Sequence, residues 1–263
     1  MQNTDHLRAV AYKDAARLNA RIKFWQRYGT PRDVWFGRFF DLVDAPPGAR
    51  VLELGCGPAG LWRWGLDNAR VPDGWSITLT DLSDGMLEEA RRNLAGFGRD
   101  FRFETADVCD LHFDDSSFDL VFANYMLYHA ANLSTAVSEI HRVLKPAGRL
   151  FAATNSERHT AELQDLQAAH VIADSELANT GNVGASFTLE NGGDILRDKF
   201  LKVETVLDGS IALATDPQVV IDYAVSMDAR LDEPRLTSTV REHIELNGHF
   251  AVTRASGMFI ARK

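Results

Sequence analysis

Residues 51–60, Val-Leu-Glu-Leu-Gly-Cys-Gly-Pro-Ala-Gly, carry an apolar strand into the pattern Gly55-x-Gly57-x-x-Gly60 and on into a helical pattern. Glycines at the carboxyl end of a first parallel strand let a bound ligand approach the backbone closely. Pro58 has no N–H, so one donor that a pyrophosphate would use at a helix N-terminus is missing. Glu53, just before the first glycine, adds a negative charge that repels a pyrophosphate and attracts an amino or sulfonium group. The loop suits a cation.

Two more acids follow at the next strand ends. Ser76–Leu79 reads as a second strand that stops at Thr80-Asp81-Leu82-Ser83. Asp81 falls about 20 residues beyond the glycine loop, the spacing at which a carboxylate accepts both ribose hydroxyls. NAD fits that spacing equally well. The third strand, Phe101–Thr105, ends at Ala106-Asp107-Val108, a carboxylate next to a backbone amide and suited to the N6 donor and N1 acceptor of an adenine.

With these residues the chain resembles the class I S-adenosylmethionine-dependent methyltransferases. Val51–Gly60 is similar to their first motif, Leu79–Met86 to their ribose and adenine segment, Ala106-Asp107-Val108 to their adenine clamp, and Phe118–Asn124 to their fourth strand. Glu139–Leu150 resembles the family's helix, turn and fifth strand, with Ala147 where a second glycine is usual. The resemblance implies S-adenosyl-L-methionine as cofactor, held by Glu53, Gly55, Cys56, Gly57, Gly60, Asp81, Leu82, Met86, Asp107, Val108, Asn124 and Tyr125.

Asn124 stands at the end of the fourth strand, beside the switch point where doubly wound sheets bind ligands. The run Tyr125-Met126-Leu127-Tyr128-His129 follows, and Tyr128 is expected to line an acceptor pocket. His129 is the candidate general base, since its reference pKa lies near neutrality; the other reading is a helix cap or a packed polar residue. Of the N-terminal aromatics, Phe36, Phe39 and Phe40 read as core, while Tyr12, Tyr28 and Trp35 are candidates for facing the substrate, with Tyr28 and Trp35 open between that role and packing. His129, His141 and Asp119 lack short metal-ligand spacing, so no metal is expected. Cys56 and Cys109 show neither C-x-x-C spacing nor a disulfide framework.

At 263 residues the chain has room for one α/β domain with an appended element. Lys and Arg total 28 against 37 Asp and Glu, and the resulting net charge of -9 opposes binding to a phosphate backbone. The polar segment Met1–Arg8 lacks a signal-peptide core, and no apolar run reaches the roughly 18 residues of a membrane span. A cytoplasmic protein without membrane or nucleic-acid partners is expected; composition says nothing of oligomeric state.

Helical patterns at Asp5–Arg27 and Asp33–Val43 precede a regular alternation of strands and helices. That alternation predicts a doubly wound, mostly parallel Rossmann-like sheet, which the resemblance makes seven-stranded. Helices are expected at Thr160–Ala178 and Leu189–Arg197, an extended stretch at Lys199–Leu207, helices at Pro217–Arg230 and Pro234–Asn247, and a last strand at Phe250–Arg262. The corresponding organisation is an N-terminal helical cap over 1–44, a cofactor-binding core over 45–207, a helical insertion serving as lid over 208–249, and the final strand of the core over 250–263.

The expected function is methyl transfer to a small molecule at oxygen, nitrogen or carbon. Gly55, Gly57, Gly60 and Asp81 would also serve an NAD-dependent oxidoreductase, against which Pro58, Glu53 and Asp107 speak. A non-catalytic cofactor-binding interaction module is the alternative from another class.

Overall fold

The computed structural model describes residues 15–29, 32–172, 186–228 and 230–263. In chain order it begins with α1 (Ala15–Tyr28), α2 (Arg32–Leu42), β1 (Arg50–Glu53), α3 (Gly60–Asp67), β2 (Ser76–Asp81) and α4 (Asp84–Leu94). There follow β3 (Phe101–Thr105), β4 (Phe118–Phe122), a 3-10 turn at Leu127–His129, α5 (Leu133–Val143) and β5 (Leu144–Asn155). The chain continues through α6 (Ala161–His170), α7 (Gly192–Arg197), β6 (Lys202–Ala214), α8 (Pro217–Met227), α9 (Glu233–Asn247) and β7 (Phe250–Arg262).

The seven strands form one sheet in the order β3-β2-β1-β4-β5-β7-β6. β1 pairs in parallel with β2 and β4, β2 with β3, and β4 with β5, whereas β7 runs antiparallel to β5 from Arg149↔Arg262 to Asn155↔Ser256. The mostly parallel doubly wound sheet expected from the alternation is therefore present. Covered on both faces, β1 has Val51 and Leu52 fully buried side by side, as a central parallel strand requires.

The described residues divide into two compact units. One takes those of Asp33–Ser156, Gly184–Leu207 and Ser256–Lys263. Here Phe39 meets Phe122 edge-on at 4.9 Å and Trp62 stacks on Phe122 at 5.7 Å, forming the core on one sheet face. Leu52, Leu54, Val121, Ile140 and Leu150 fill the other face. Side-chain caps start the helices that flank the loops: Ser83 accepts from the Met86 N–H, and Asn132 from the Thr135 N–H at 3.0 Å.

The other unit takes the described residues of Met1–Arg32, Glu157–Val183 and Asp208–Ala255. Its core gathers Phe24, Leu163, Val220, Tyr223, Leu236, Val240 and Val252. Asp216 caps α8 ahead of Pro217, Asp232 caps α9 ahead of Pro234, and Gly248 closes α9 in the left-handed conformation.

This division cuts across the expected boundaries. Helix α1 falls with the insertion helices in the second unit, and the residues of α2 from Asp33 onward fall in the first. Residues 157–172 leave the expected 45–207 core for the second unit. Strand β6 runs to Ala214, seven residues beyond the expected Leu207, and β2 reaches Asp81 itself. The helix expected at Thr160–Ala178 is described as Ala161–His170, followed by a bridge from Val171 to Leu231; residues 173–185 lie outside the described residues.

Candidate cofactor and transfer site

β1, β2 and β4 end side by side, and the first functional side chains sit where their backbones part. Leu54 donates its N–H to Phe122 O at 2.8 Å and Cys56 donates to Thr80 O at 2.8 Å, so the glycine loop is tied to both neighbours. Gly55 turns at φ 61° with a Cβ position that would lie 2.8 Å from Met126 Cβ, so only glycine fits against the turn after β4. Gly57, at φ 52°, and Gly60 face open space within 4 Å of where a Cβ would stand.

Glu53 is 4% exposed at the end of β1. Its carboxylate accepts the indole N–H of Trp62, from the first turn of α3, and the Nδ2–H of Asn124 at 3.3 Å. Burial outweighs these two donors and pushes the Glu53 carboxyl up to about 7, with the charge of Asp81 adding to the rise. Asn124 Oδ1 is buried and accepts no hydrogen bond among the described residues. Two buried acceptors, one bearing a charge that burial disfavours, thus stand at the ends of the adjacent strands β1 and β4.

Asp81 closes β2 with both carboxylate oxygens engaged by backbone. Oδ2 accepts the Gly57 N–H and Oδ1 the Ser83 N–H, each at 2.9 Å. Each oxygen retains a further lone pair, the geometry for two vicinal hydroxyl donors. Burial raises the Asp81 pKa while those N–H groups oppose the rise. Asp107 Oδ1 folds back onto the Cys109 N–H at 2.8 Å, which leaves Oδ2 for an outside donor, with Val108 buried beside it. Leu82 and Met86 are half-buried at the loop into α4 and its first turn.

Cys56 is buried and donates its thiol to Gly57 O at 3.4 Å. Burial, with the nearby charges of Glu53 and Asp81, pushes that thiol far up, so Cys56 stays protonated. It serves the loop as a small apolar filler. Among the described residues no group of three or more His, Cys, Asp or Glu side chains could hold a metal ion, and no helix is long and apolar enough to cross a membrane.

After Asn124 the backbone turns sharply: Tyr125 takes φ 55°, a strained conformation for a side-chain-bearing residue, and is held there by its N–H to Ala153 O at 2.9 Å. The 3-10 turn follows, where His129 lies edge-on to Tyr128 at 4.5 Å. Burial lowers the His129 pKa, so the imidazole is neutral at physiological pH. Glu53, Asn124, Tyr125, Asp81 and Asp107 thus belong to one rim of strand ends.

The candidates for facing a substrate fare differently. Trp35 is 5% exposed and packs in the core, its ring 6.2 Å from that of Tyr125. Tyr28 lies in the second unit, where its hydroxyl accepts the Asp216 N–H at 3.1 Å at the start of α8. Tyr128 holds Ser186 through its carbonyl at 3.0 Å. Tyr12 lies outside the described residues. Trp62 was not among the expected site residues; its one sequence signal is an indole N–H on the otherwise apolar face of α3, which needs a buried acceptor.

Residues 52–152 match the methyltransferase domain family. The chain is 37% identical over 131 residues to a malonyl-[acyl-carrier protein] O-methyltransferase of Enterobacter lignolyticus, covering 50% of this chain and 48% of that one. It is 36% identical over 120 residues to a demethylmenaquinone methyltransferase of Symbiobacterium thermophilum, covering 44% and 47%. The chain spans about half the length of these curated relatives. In fold it is similar to a crystal structure described as a methyltransferase from Bacillus halodurans, with a TM-score of 0.62 at 16% identity over 87% of this chain and 98% of that one. Neither an oxidoreductase nor a non-catalytic module finds support in these matches. Their extent coincides with the glycine loop, the strand-end acids and the β4 turn, so the segment that is similar to methyltransferases is the one that forms the candidate site.

Proposed function

We propose that this chain transfers the methyl group of S-adenosylmethionine to a small-molecule acceptor. The observation that carries the proposal is the pair of buried acceptors at the β1 and β4 ends, the Glu53 carboxylate and Asn124 Oδ1. An α-ammonium satisfies both, and a pyrophosphate satisfies neither.

When bound, the cofactor supplies a methyl group activated by a sulfonium. Glu53 and Asn124 hold the amino end, Asp81 the ribose hydroxyls and Asp107 the adenine amino group. Leu82, Met86 and Val108 offer apolar surface to the base. Backbone at Gly55, Cys56, Gly57 and Gly60 admits the ligand where side chains would block it. Methyl transfer is an in-line displacement, so the protein's work is to align acceptor with methyl and keep water out. Tyr125 and Tyr128 are assigned to that alignment. For a hydroxyl acceptor, neutral His129 takes the proton on a ring nitrogen; an amine or an acidic carbon does not need it.

Two relatives whose names give malonyl-[acyl-carrier protein] and demethylmenaquinone as substrates support an acceptor outside the nucleic acids, as does the net charge of -9. The cytoplasm is the proposed location. Calorimetry with S-adenosylmethionine, S-adenosylhomocysteine and NAD, followed by transfer of isotopically labelled methyl into a small-molecule cell extract, tests the reading. Binding of the first two ligands and one labelled product by mass spectrometry are expected; tight NAD binding, or no labelled product at saturating cofactor, would overturn it.

A further inference from the structure

Trp62 stands in the first turn of α3, directly after the glycine loop, and is fully buried. Its ring stacks on Phe122 at 5.7 Å and meets Phe101 and Phe40 edge-on at 6.2 and 6.3 Å, so neighbours from β4, β3 and α2 fix its plane. Packing of this kind asks only for an aromatic body. What tryptophan adds is one N–H, and in a dry core that donor must find an acceptor.

The acceptor is one oxygen of Glu53, whose other oxygen takes the Asn124 Nδ2–H at 3.3 Å. Among the described residues no lysine or arginine pairs with Glu53. The titratable groups that face it are Asp81 at the end of β2, whose charge disfavours its ionisation, and the Cys56 thiol, which stays protonated. A buried carboxylate without a cation depends on its hydrogen-bond donors to remain charged. Burial raises the Glu53 pKa to about 7, and of the two donors that oppose the rise Trp62 is the stronger. Asn124 Oδ1, buried and without a donor among the described residues, leaves an acceptor open to a ligand beside that carboxylate.

We propose that Trp62 is a positioning residue for the cofactor: its buried indole N–H holds one oxygen of Glu53, keeping the carboxylate charged and its other oxygen at Asn124 for a ligand's ammonium group. The helix that follows the glycine loop thus sets the pH range over which the amino end of the ligand is held. The proposal rests on the cofactor assignment above.

Trp62→Phe keeps an aromatic ring against Phe122 and removes the donor. Affinity is measured from pH 5.5 to 8.5 on the full chain, for S-adenosylhomocysteine and for 5′-methylthioadenosine, which keeps ribose and adenine but has no amino acid end. In the variant the acidic limb of the S-adenosylhomocysteine profile should move up by about one pH unit, and affinity at pH 7 should fall about fivefold. Affinity for 5′-methylthioadenosine should stay within about twofold of wild type at every pH. An unmoved limb, or equal losses for the two ligands as from a general loosening of the core, overturns the proposal. A second measurement does not need the variant to fold. In the ligand-free wild type, one of the five tryptophan indole N–H resonances should titrate with a midpoint near 7, and in Glu53→Gln it should no longer do so. No such resonance overturns the proposal as well. Wild-type protein that fails to bind S-adenosylhomocysteine, or binds it with a flat profile, is a different result: it sinks the cofactor assignment at Glu53, and the role of Trp62 with it.

Discussion

Trp62 donates its indole N–H to the Glu53 carboxylate across the fold between β1 and α3, with the donor ring fully buried and stacked on Phe122. An acid at the end of a central strand is thereby fixed by the hydrophobic core itself. Packing around Trp62 sets the direction of Glu53, and Asn124 sets its other oxygen.

Glu53 should make both stability and cofactor binding depend on pH, in opposite directions. Its folded pKa of about 7 lies above the ordinary 4.5, so the fold favours the protonated form. The penalty is absent below the unfolded value, grows between the two, and is fully present above 7, where it amounts to about 3 kcal/mol. Glu53→Gln should therefore stabilise the ligand-free protein at pH 8 and hardly at all at pH 4.5, read by urea unfolding. A bound ammonium favours the ionised form, so wild-type affinity for S-adenosylmethionine should fall as pH drops below 7, by up to about tenfold per unit. A flat wild-type affinity from pH 5.5 to 7.5 would remove the ammonium from Glu53.

Asp81→Ala removes the acceptor of the Gly57 and Ser83 N–H groups together with the proposed ribose contact. S-adenosylhomocysteine affinity should drop by roughly 2–4 kcal/mol, tens- to several-hundred-fold. Calorimetry checks the loss, and full affinity in the variant would place the ribose elsewhere.

His129→Ala distinguishes proton transfer from alignment. With a hydroxyl acceptor, turnover should fall by roughly 100-fold, cofactor affinity should hold, and the acidic limb of the pH–rate profile should vanish. Because burial lowers the His129 pKa, that limb in the wild type should lie below the ordinary 6.5. Turnover within a few-fold of wild type would assign the rate to positioning by Asn124 and Tyr125.

Ala147 adopts φ 63°, a left-handed conformation that glycine takes without strain. Gly148 cannot take over as a larger residue, since a Cβ there would lie 2.8 Å from Lys145 O. Ala147→Gly should stabilise the protein by about 0.5–1 kcal/mol, strain relief exceeding the added entropy of the unfolded chain. A lowered thermal midpoint in this variant would count against the turn geometry.

Residues whose placement follows from local pattern are legible in the sequence: a strand, a glycine loop and an acid at the strand end put Glu53, Asp81 and Asp107 at the ends of β1, β2 and β3, where the structure has them. Trp62 and the orphan oxygen of Asn124 were not, because their partners come from other elements. Strand β6 runs past the expected end at Leu207 to Ala214, through Asp208-Gly209-Ser210, whose composition suits a turn as well as a strand. Trp35 and Tyr28 illustrate the same limit among aromatics, whose apolar bodies suit a core as well as a ligand; only contacts with Tyr125 and Asp216 distinguish them.

The order of strands in space differs from their order of synthesis, and the difference fixes a period of exposure. The edge of β5 from Arg149 to Asn155 is completed by residues 256–262, roughly a hundred positions later. At roughly 5–20 residues per second of translation, that row of backbone donors and acceptors stays open for about 5–20 s after β5 emerges. β6 is made within this interval and must not take the vacant place that belongs to β7. A ribosome stalled before residue 256 would therefore hold a nascent chain with a bare apolar strand at its margin, a species recognisable to a chaperone and prone to pair with its neighbours on the same messenger.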